Sequence, residues 1–136
     1  MKILVVDDDA KERENIISIL DDRDKNTFME ADTKSIELNL LGNMNPDVAI
    51  IDLNIGGNLH GISLLKKMKD YKPETKIILL VSELMPEEFY ISEELGVDGY
   101  IFKDIEANDI RYVYNLIKVS EKFKQPLIIG YMQKMN

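Results

Sequence analysis

Four apolar runs in this chain each end in a reactive polar residue. Ile3-Leu4-Val5-Val6 leads into Asp7 and Asp8, Val48-Ala49-Ile50-Ile51 into Asp52, Ile77-Ile78-Leu79-Leu80-Val81 into Ser82, and Gly99-Tyr100-Ile101-Phe102 into Lys103. If these runs are parallel strands, their carboxyl ends share one edge of a sheet, the edge at which open α/β sheets bind ligands. Three carboxylates, a hydroxyl and an ammonium then converge. Two like charges about 4 Å apart repel by roughly 4 kcal/mol at an effective dielectric near 20, so three ionised carboxylates there call for a cation. Mg²⁺ suits them, because it takes oxygen ligands and keeps positions for water and substrate oxygens. Asp52 is then a carboxylate nucleophile, with the cation and Lys103 stabilising charge on a transferred phosphoryl group and Ser82 hydrogen-bonding the product.

The elements that must position these groups follow from the pattern between them. Strand-like runs alternate with helix-like segments, the pattern of repeated βα units and of a mostly parallel sheet. Asp9 is placed to cap a first helix, with Glu12 three residues on and Ile16, Ile17 and Leu20 as its apolar face. Residues 26–31 read as a short second strand and 33–41 as a helix stopped by Gly42 and Pro46. A third helix covers about 61–70, and a fourth opens at Pro86 and ends at Gly96. Ile110, Val113, Tyr114 and Ile117 are spaced for one buried face of a fifth helix, which ends before Gln125-Pro126.

Composition bounds the rest. With 136 residues, 45% of them hydrophobic, the chain has material for one ordinary globular domain and its core. A net charge of -8 argues against a nucleic-acid or anionic membrane surface, which is met by excess Lys and Arg, and favours protein partners. There is no cysteine for disulfide or thiol chemistry, and no apolar run approaches the length of a signal-peptide core or a membrane span. The expectation is a soluble, cytoplasmic chain.

At these residues the sequence resembles the CheY-like receiver domains of two-component response regulators. Asp7-Asp8 resembles the family's acidic pair, Asp52 its phosphoacceptor, Ser82 its hydroxyl and Lys103 its lysine, and the intervals between them fit as well. Asn54 stands where the family uses a backbone carbonyl as a metal ligand, and Tyr100 at its aromatic switch position. The resemblance covers about residues 1–123, leaving 124–136 as a C-terminal tail or the start of a linker. It implies an α/β fold, a doubly wound (βα)5 flavodoxin-like three-layer sandwich with parallel strand order 2-1-3-4-5. It implies a Mg²⁺ site at Asp7, Asp8, Asp52 and Asn54 and phosphoryl transfer from a histidine kinase to Asp52. Ser82 moving inward would vacate space for Tyr100, sending a signal through the fourth helix, fifth strand and fifth helix to an output domain or downstream protein. The chain would be a monomer or a weak homodimer through that face. It would catalyse its own phosphorylation and hydrolysis without being a conventional enzyme.

Each element also has a plainer reading. Alone, a run of aspartates is usually a solvated turn or cap, Ser82 a cap, Lys103 a solvated strand end and Tyr100 half-buried packing; jointly, at the ends of four runs, they point to a site. His60 has no second His or Cys near it in sequence and reads as neither a metal ligand nor a phosphorelay histidine. Gly56 and Gly61 have P-loop spacing, but Ile62 takes the lysine position, so no nucleotide site is expected. A haloacid dehalogenase-type phosphatase with Asp7 as nucleophile and Asp9 as acid leaves Asp52 without a role, and a receiver that binds partners without being phosphorylated is the other alternative. Three positions depart from the receiver pattern: Asp104 and Gly56 replace usual prolines, and Glu83 replaces the small residue that commonly follows the hydroxyl.

Overall fold

A computed structural model of the chain describes residues 1–21, 26–40, 45–56, 60–103, 111, 114 and 127–129, with backbone alone at 37–40 and 127–129. The apolar runs form strands β1 (Lys2–Val6), β2 (Thr27–Ala31), β3 (Val48–Asp52), β4 (Lys76–Val81) and β5 (Gly99–Phe102). Helices α1 (Ala10–Leu20), α2 (Thr33–Leu40), α3 (His60–Tyr71) and α4 (Pro86–Glu94) lie between them. These strands are parallel in the expected order, β2-β1-β3-β4-β5. The register pairs Val6 with Ile51, Asp52 with Leu80, and Val81 with Phe102. The residues that follow each strand therefore meet at one edge.

The local signals for the helices act as their chemistry dictates. Asp9 caps α1, accepting from the Lys11 amide at 2.9 Å. Asp32 and Ser35 bond reciprocally at the start of α2, with Ser35 N donating to Asp32 Oδ1 at 2.9 Å and Asp32 N to Ser35 Oγ at 3.0 Å. Hydrogen bonding from the Ser35 amide, then from its side chain, holds the Asp32 carboxyl below its ordinary pKa. Pro86 opens α4, where Met85 N donates to Glu88 Oε1 at 3.0 Å, and Gly96 exits it with φ 86°.

Alternation along the strands divides the core between the two faces of the sheet. Ile3, Val5, Val48, Ile50, Ile78, Leu80 and Ile101 pack with Ile16 and Leu20 of α1 and with Tyr114. Leu4, Val6, Ala49, Ile51, Ile77, Leu79, Val81 and Tyr100 pack on the other face with Ile36 and with Ile62, Leu65 and Met68 of α3. The expected fifth helix falls mostly outside the described residues. Within it Arg111 and Tyr114 are helical, and the Tyr114 hydroxyl donates to Asn26 Oδ1 at 3.2 Å.

The sheet is wider than expected. Strand β6 (Leu127–Ile129), from the segment read as a tail, runs parallel to β5 and pairs Gly99 with Leu127 and Ile101 with Ile129. A short apolar run cannot fold alone, but it can add to an existing sheet edge, whose unpaired backbone groups are a template for it.

Polar groups inside the fold are tied down. Asp98 is buried, and its Oδ2 accepts from Ile77 N at 2.8 Å and from Lys69 Nζ at 3.4 Å, joining the approach to β5 with β4 and α3. Tyr100 is fully buried, with its ring 5.6 Å from that of Phe89 and its hydroxyl bonded to the Ser92 hydroxyl on α4. Burial pushes the Tyr100 phenol above its ordinary pKa, and the Ser92 bond offsets part of the rise.

Two predictions follow from this packing. Gly61 donates to Leu53 O at 3.1 Å, and a Cβ there would stand 2.4 Å from that same backbone oxygen, so Gly61→Ala should cost about 1–3 kcal/mol. Urea melts read it, and an unchanged midpoint would mean that the β3–α3 turn yields freely. The second concerns Tyr100→Phe, which loses the Ser92 bond and about 1 kcal/mol near neutral pH. A phenol with a raised folded-state pKa ionises first in the unfolded chain, so Tyr100 adds no pH dependence below about 10 and lowers stability as pH climbs through that value. The deficit of Tyr100→Phe should therefore shrink between about pH 9 and pH 11. A constant difference would mean that the phenol titrates alike in both states.

Candidate functional site

Asp52 closes β3 and Asp7 follows β1, both buried, with 7% and 2% of their surface exposed. Lys103 follows β5, and its amide donates to Val81 O at 3.0 Å, continuing the β4–β5 ladder by one residue. That bond sends the side chain inward. Its Nζ lies 3.2 Å from Asp52 Oδ1 and 4.0 Å from Asp7 Oδ2. Lys103 thus reaches the acidic pair, while Asp104, the residue in place of proline, lies outside the described residues.

Asp7 is held by its own backbone neighbourhood. Its Oδ1 accepts from Asp9 N at 2.9 Å, and its carbonyl accepts from Arg13 Nη1 at 2.6 Å while Arg13 Nε pairs with Glu30 at 2.9 Å. Asp7 Oδ2 is buried and has no hydrogen-bond partner among the described residues. Burial pushes the Asp7 carboxyl above its ordinary pKa, helped by the Asp52 and Glu12 charges, whereas the Asp9 amide and Lys103 oppose the rise. One ammonium stands between two carboxylates. The deficit of positive charge and the orphaned oxygen fit a hard divalent cation, which takes oxygen ligands.

Asp8 is not with them. Its Oδ1 accepts from Thr33 N at 2.8 Å and from Thr33 Oγ1 at 2.7 Å, and its Oδ2 lies 2.8 Å from the same hydroxyl. Among the described residues no three His, Cys, Asp or Glu side chains are grouped to hold a metal. The expected trio of Asp7, Asp8 and Asp52 is thus divided, with Asp8 bonded to Thr33 and the other two beside Lys103. Thr33 was missed by sequence reasoning. The available signal was a hydroxyl residue just beyond the second strand, which is the neighbour of the first.

Ser82 and Asn54 border the site on its other side. Asn54 N donates to Asp52 Oδ1 at 3.2 Å, and both residues line a cleft of about 730 Å³ with Glu83, Met85, Pro86, Glu87 and Glu88. Ser82 and Glu83 are exposed. Tyr100 is buried in the core against α4.

Comparison with known proteins agrees with this geometry. A family profile described as the response regulator receiver domain matches residues 3–115. The chemotaxis protein CheY-3 of Vibrio cholerae serotype O1 is 30% identical over 113 residues, covering 82% of this chain and 86% of that protein. The transcriptional regulatory protein YdfI of Bacillus subtilis is 26% identical over 135 residues, covering 98% of this chain but only 62% of its own length. The chain thus spans somewhat under two thirds of that relative. In fold it is similar to the isolated REC domain of RcsB from Salmonella enterica serovar Typhimurium in the presence of phosphomimetic BeF3-, with a TM-score of 0.80, 21% identity and coverage of 99% and 97% of the two chains. The profile match over most of the chain and the likeness to CheY-3, together with the parallel sheet bearing Asp7, Asp52 and Lys103 on one edge, show that this chain belongs to the response regulator receiver domain family.

Proposed function

We propose that Asp52 accepts a phosphoryl group from a histidine kinase and that Asp7, Asp8, Asp52 and the Asn54 carbonyl hold Mg²⁺ while it does so. The observation that carries this reading is the pairing of Lys103 Nζ with Asp52 at 3.2 Å beside the unpartnered Asp7 oxygen. An Asp52 oxygen forms the new O–P bond as the P–N bond of a phosphohistidine breaks, and the electron pair leaves on the imidazole nitrogen, which takes up a proton. When bound, the cation supplies positive charge to the phosphoryl oxygens. Lys103 exchanges its contact with the carboxylate for one with a phosphoryl oxygen, and the Ser82 hydroxyl donates to another. Water later hydrolyses the acyl phosphate and restores Asp52, so the domain acts once per signal rather than as an ordinary turnover enzyme.

The consequence for the rest of the molecule runs through the β4–α4 connection, which carries Ser82 and Glu83 and leads into α4 and the buried Tyr100. In this reading residues 1–123 make the receiver, β6 adds 127–129 to its sheet, the signal passes to an output domain or partner protein, and the domain works in the cytoplasm as a monomer or weak dimer. Support for an output domain comes from the length of YdfI that this chain does not span. No described helix is long and apolar enough to cross a membrane.

Intact mass after treatment with Mg²⁺ and phosphoramidate tests the acceptor. The parent should gain one phosphoryl group and Asp52→Asn none, because the amide is nearly isosteric but not nucleophilic; equal labelling would move the acceptor elsewhere. A second test concerns the donor. Glu83 is exposed and shares the cleft beside Asn54 and Ser82, where its charge opposes an anionic small donor. Glu83→Ala should be labelled faster by phosphoramidate and Glu83→Lys faster still, by on the order of tenfold at low salt. The differences should fade toward 1 M salt, where the screening length is about 3 Å. Equal initial rates of all three proteins at both salt concentrations would exclude a gating charge.

A further inference from the structure

Asp8, on the connection after β1, and Thr33, the first residue of α2, are 25 residues apart in sequence, yet three contacts join them. Both Thr33 donors, backbone amide and hydroxyl, are spent on one carboxylate at 2.7 to 2.8 Å. A carboxylate at the start of α2 is favoured there by the exposed amides and the helix dipole. Helix α2 does not need it, however. Asp32 and Ser35 already form a reciprocal cap at the same end. Asp8 is also exposed, so leaving Thr33 exposes no buried group. The carboxylate sits on the Thr33 donors, and if Asp8 is a metal ligand it must leave them to join Asp7 and Asp52 around a cation.

We propose that Thr33 is a positioning residue that sets the affinity of the site for divalent cations, by latching Asp8 away from Asp7 and Asp52 until a cation draws it back. This rests on the reading that Asp8 is a metal ligand. Because the latch must open for the cation to gain its full ligand set, its free energy is subtracted from that of binding. Occupancy of the site is then linked to the β2–α2 connection, through loss of the Thr33 contact. The link uses residues of this chain that carry no chemistry themselves.

The experiment is a Mg²⁺ titration of the full chain, followed by calorimetry and by the amide NMR signal of Thr33. Four proteins are compared: the parent, Thr33→Val, Thr33→Ser and Asp8→Ala. Thr33→Val keeps the shape and the backbone donor but removes the hydroxyl, so it should bind Mg²⁺ about three- to tenfold more tightly, the range set by one hydrogen bond to an exposed charged group. Thr33→Ser restores the donor and should return to the parent value. In the parent the Thr33 amide should shift with the same Kd as the calorimetric signal. If Asp8→Ala abolishes binding while Thr33→Val binds no more tightly than the parent, the latch is overturned and the metal site stands. If Asp8→Ala binds as well as the parent, or the parent does not bind Mg²⁺, the underlying metal reading fails and the latch fails with it.

Discussion

Parallel strands that share an edge force their carboxyl ends into a small volume, and in this chain those ends carry like charge. Asp7 and Asp52 are buried there with one ammonium between them, at 3.2 Å from one and 4.0 Å from the other. Much of the surrounding architecture answers that shortage of positive charge. The Asp9 amide satisfies one Asp7 oxygen, Arg13 pins the turn by its carbonyl, and Asp8 turns outward to Thr33. An apolar replacement for Asp7 would remove the desolvation cost, but it would also remove the electrostatic vacancy that suits the site to a cation.

The rest of the domain is built to hold that arrangement without following its every change. Strands β1, β3, β4 and β5 are buried on both faces and locked by parallel ladders, so the positions of Asp7, Asp52 and Lys103 are set to the precision of the sheet. Other groups of the site are on connections: Ser82 and Glu83 between β4 and α4, Asn54 after β3, and Asp8 after β1. Tyr100 belongs to the rigid part. Its ring lies in the core, and its hydroxyl is engaged by Ser92 and by Phe89 O at 3.4 Å. The β4–α4 connection joins Ser82 and Glu83 to α4, against which the Tyr100 ring is buried.

The added strand β6 bears on the same side of the molecule. By pairing with β5 it takes up backbone groups that an edge strand would present to another chain. The β5 edge is thus occupied by a segment of the chain itself. Tyr90 on α4 and Met85 at its start are exposed.

Much of this protein is legible in its sequence for a definite physical reason. Apolar runs ending in Asp7, Asp52, Ser82 and Lys103 identify strands buried on both faces, and the alternation with capped helices leaves a parallel sheet as the consistent solution. Helix starts at Asp9 and Pro86, the exit at Gly96 and the meeting of Asp7, Asp52 and Lys103 follow from those local patterns, whereas the strand order is implied by the resemblance to receiver domains. The tertiary structure decided what local patterns cannot encode. Residues 127–129 form a strand only because β5 offers an edge. Lys103 reaches Asp52 through a ladder bond to Val81, without the family's proline after it. Tyr100 is inside because Ser92, eight residues earlier on another element, provides a partner for its hydroxyl. Asp8 stands apart from the acidic pair because Thr33 is beside it in space, and side-chain rotamers at a charged site are chosen by neighbours and by mutual repulsion, neither of which is a property of spacing along the chain.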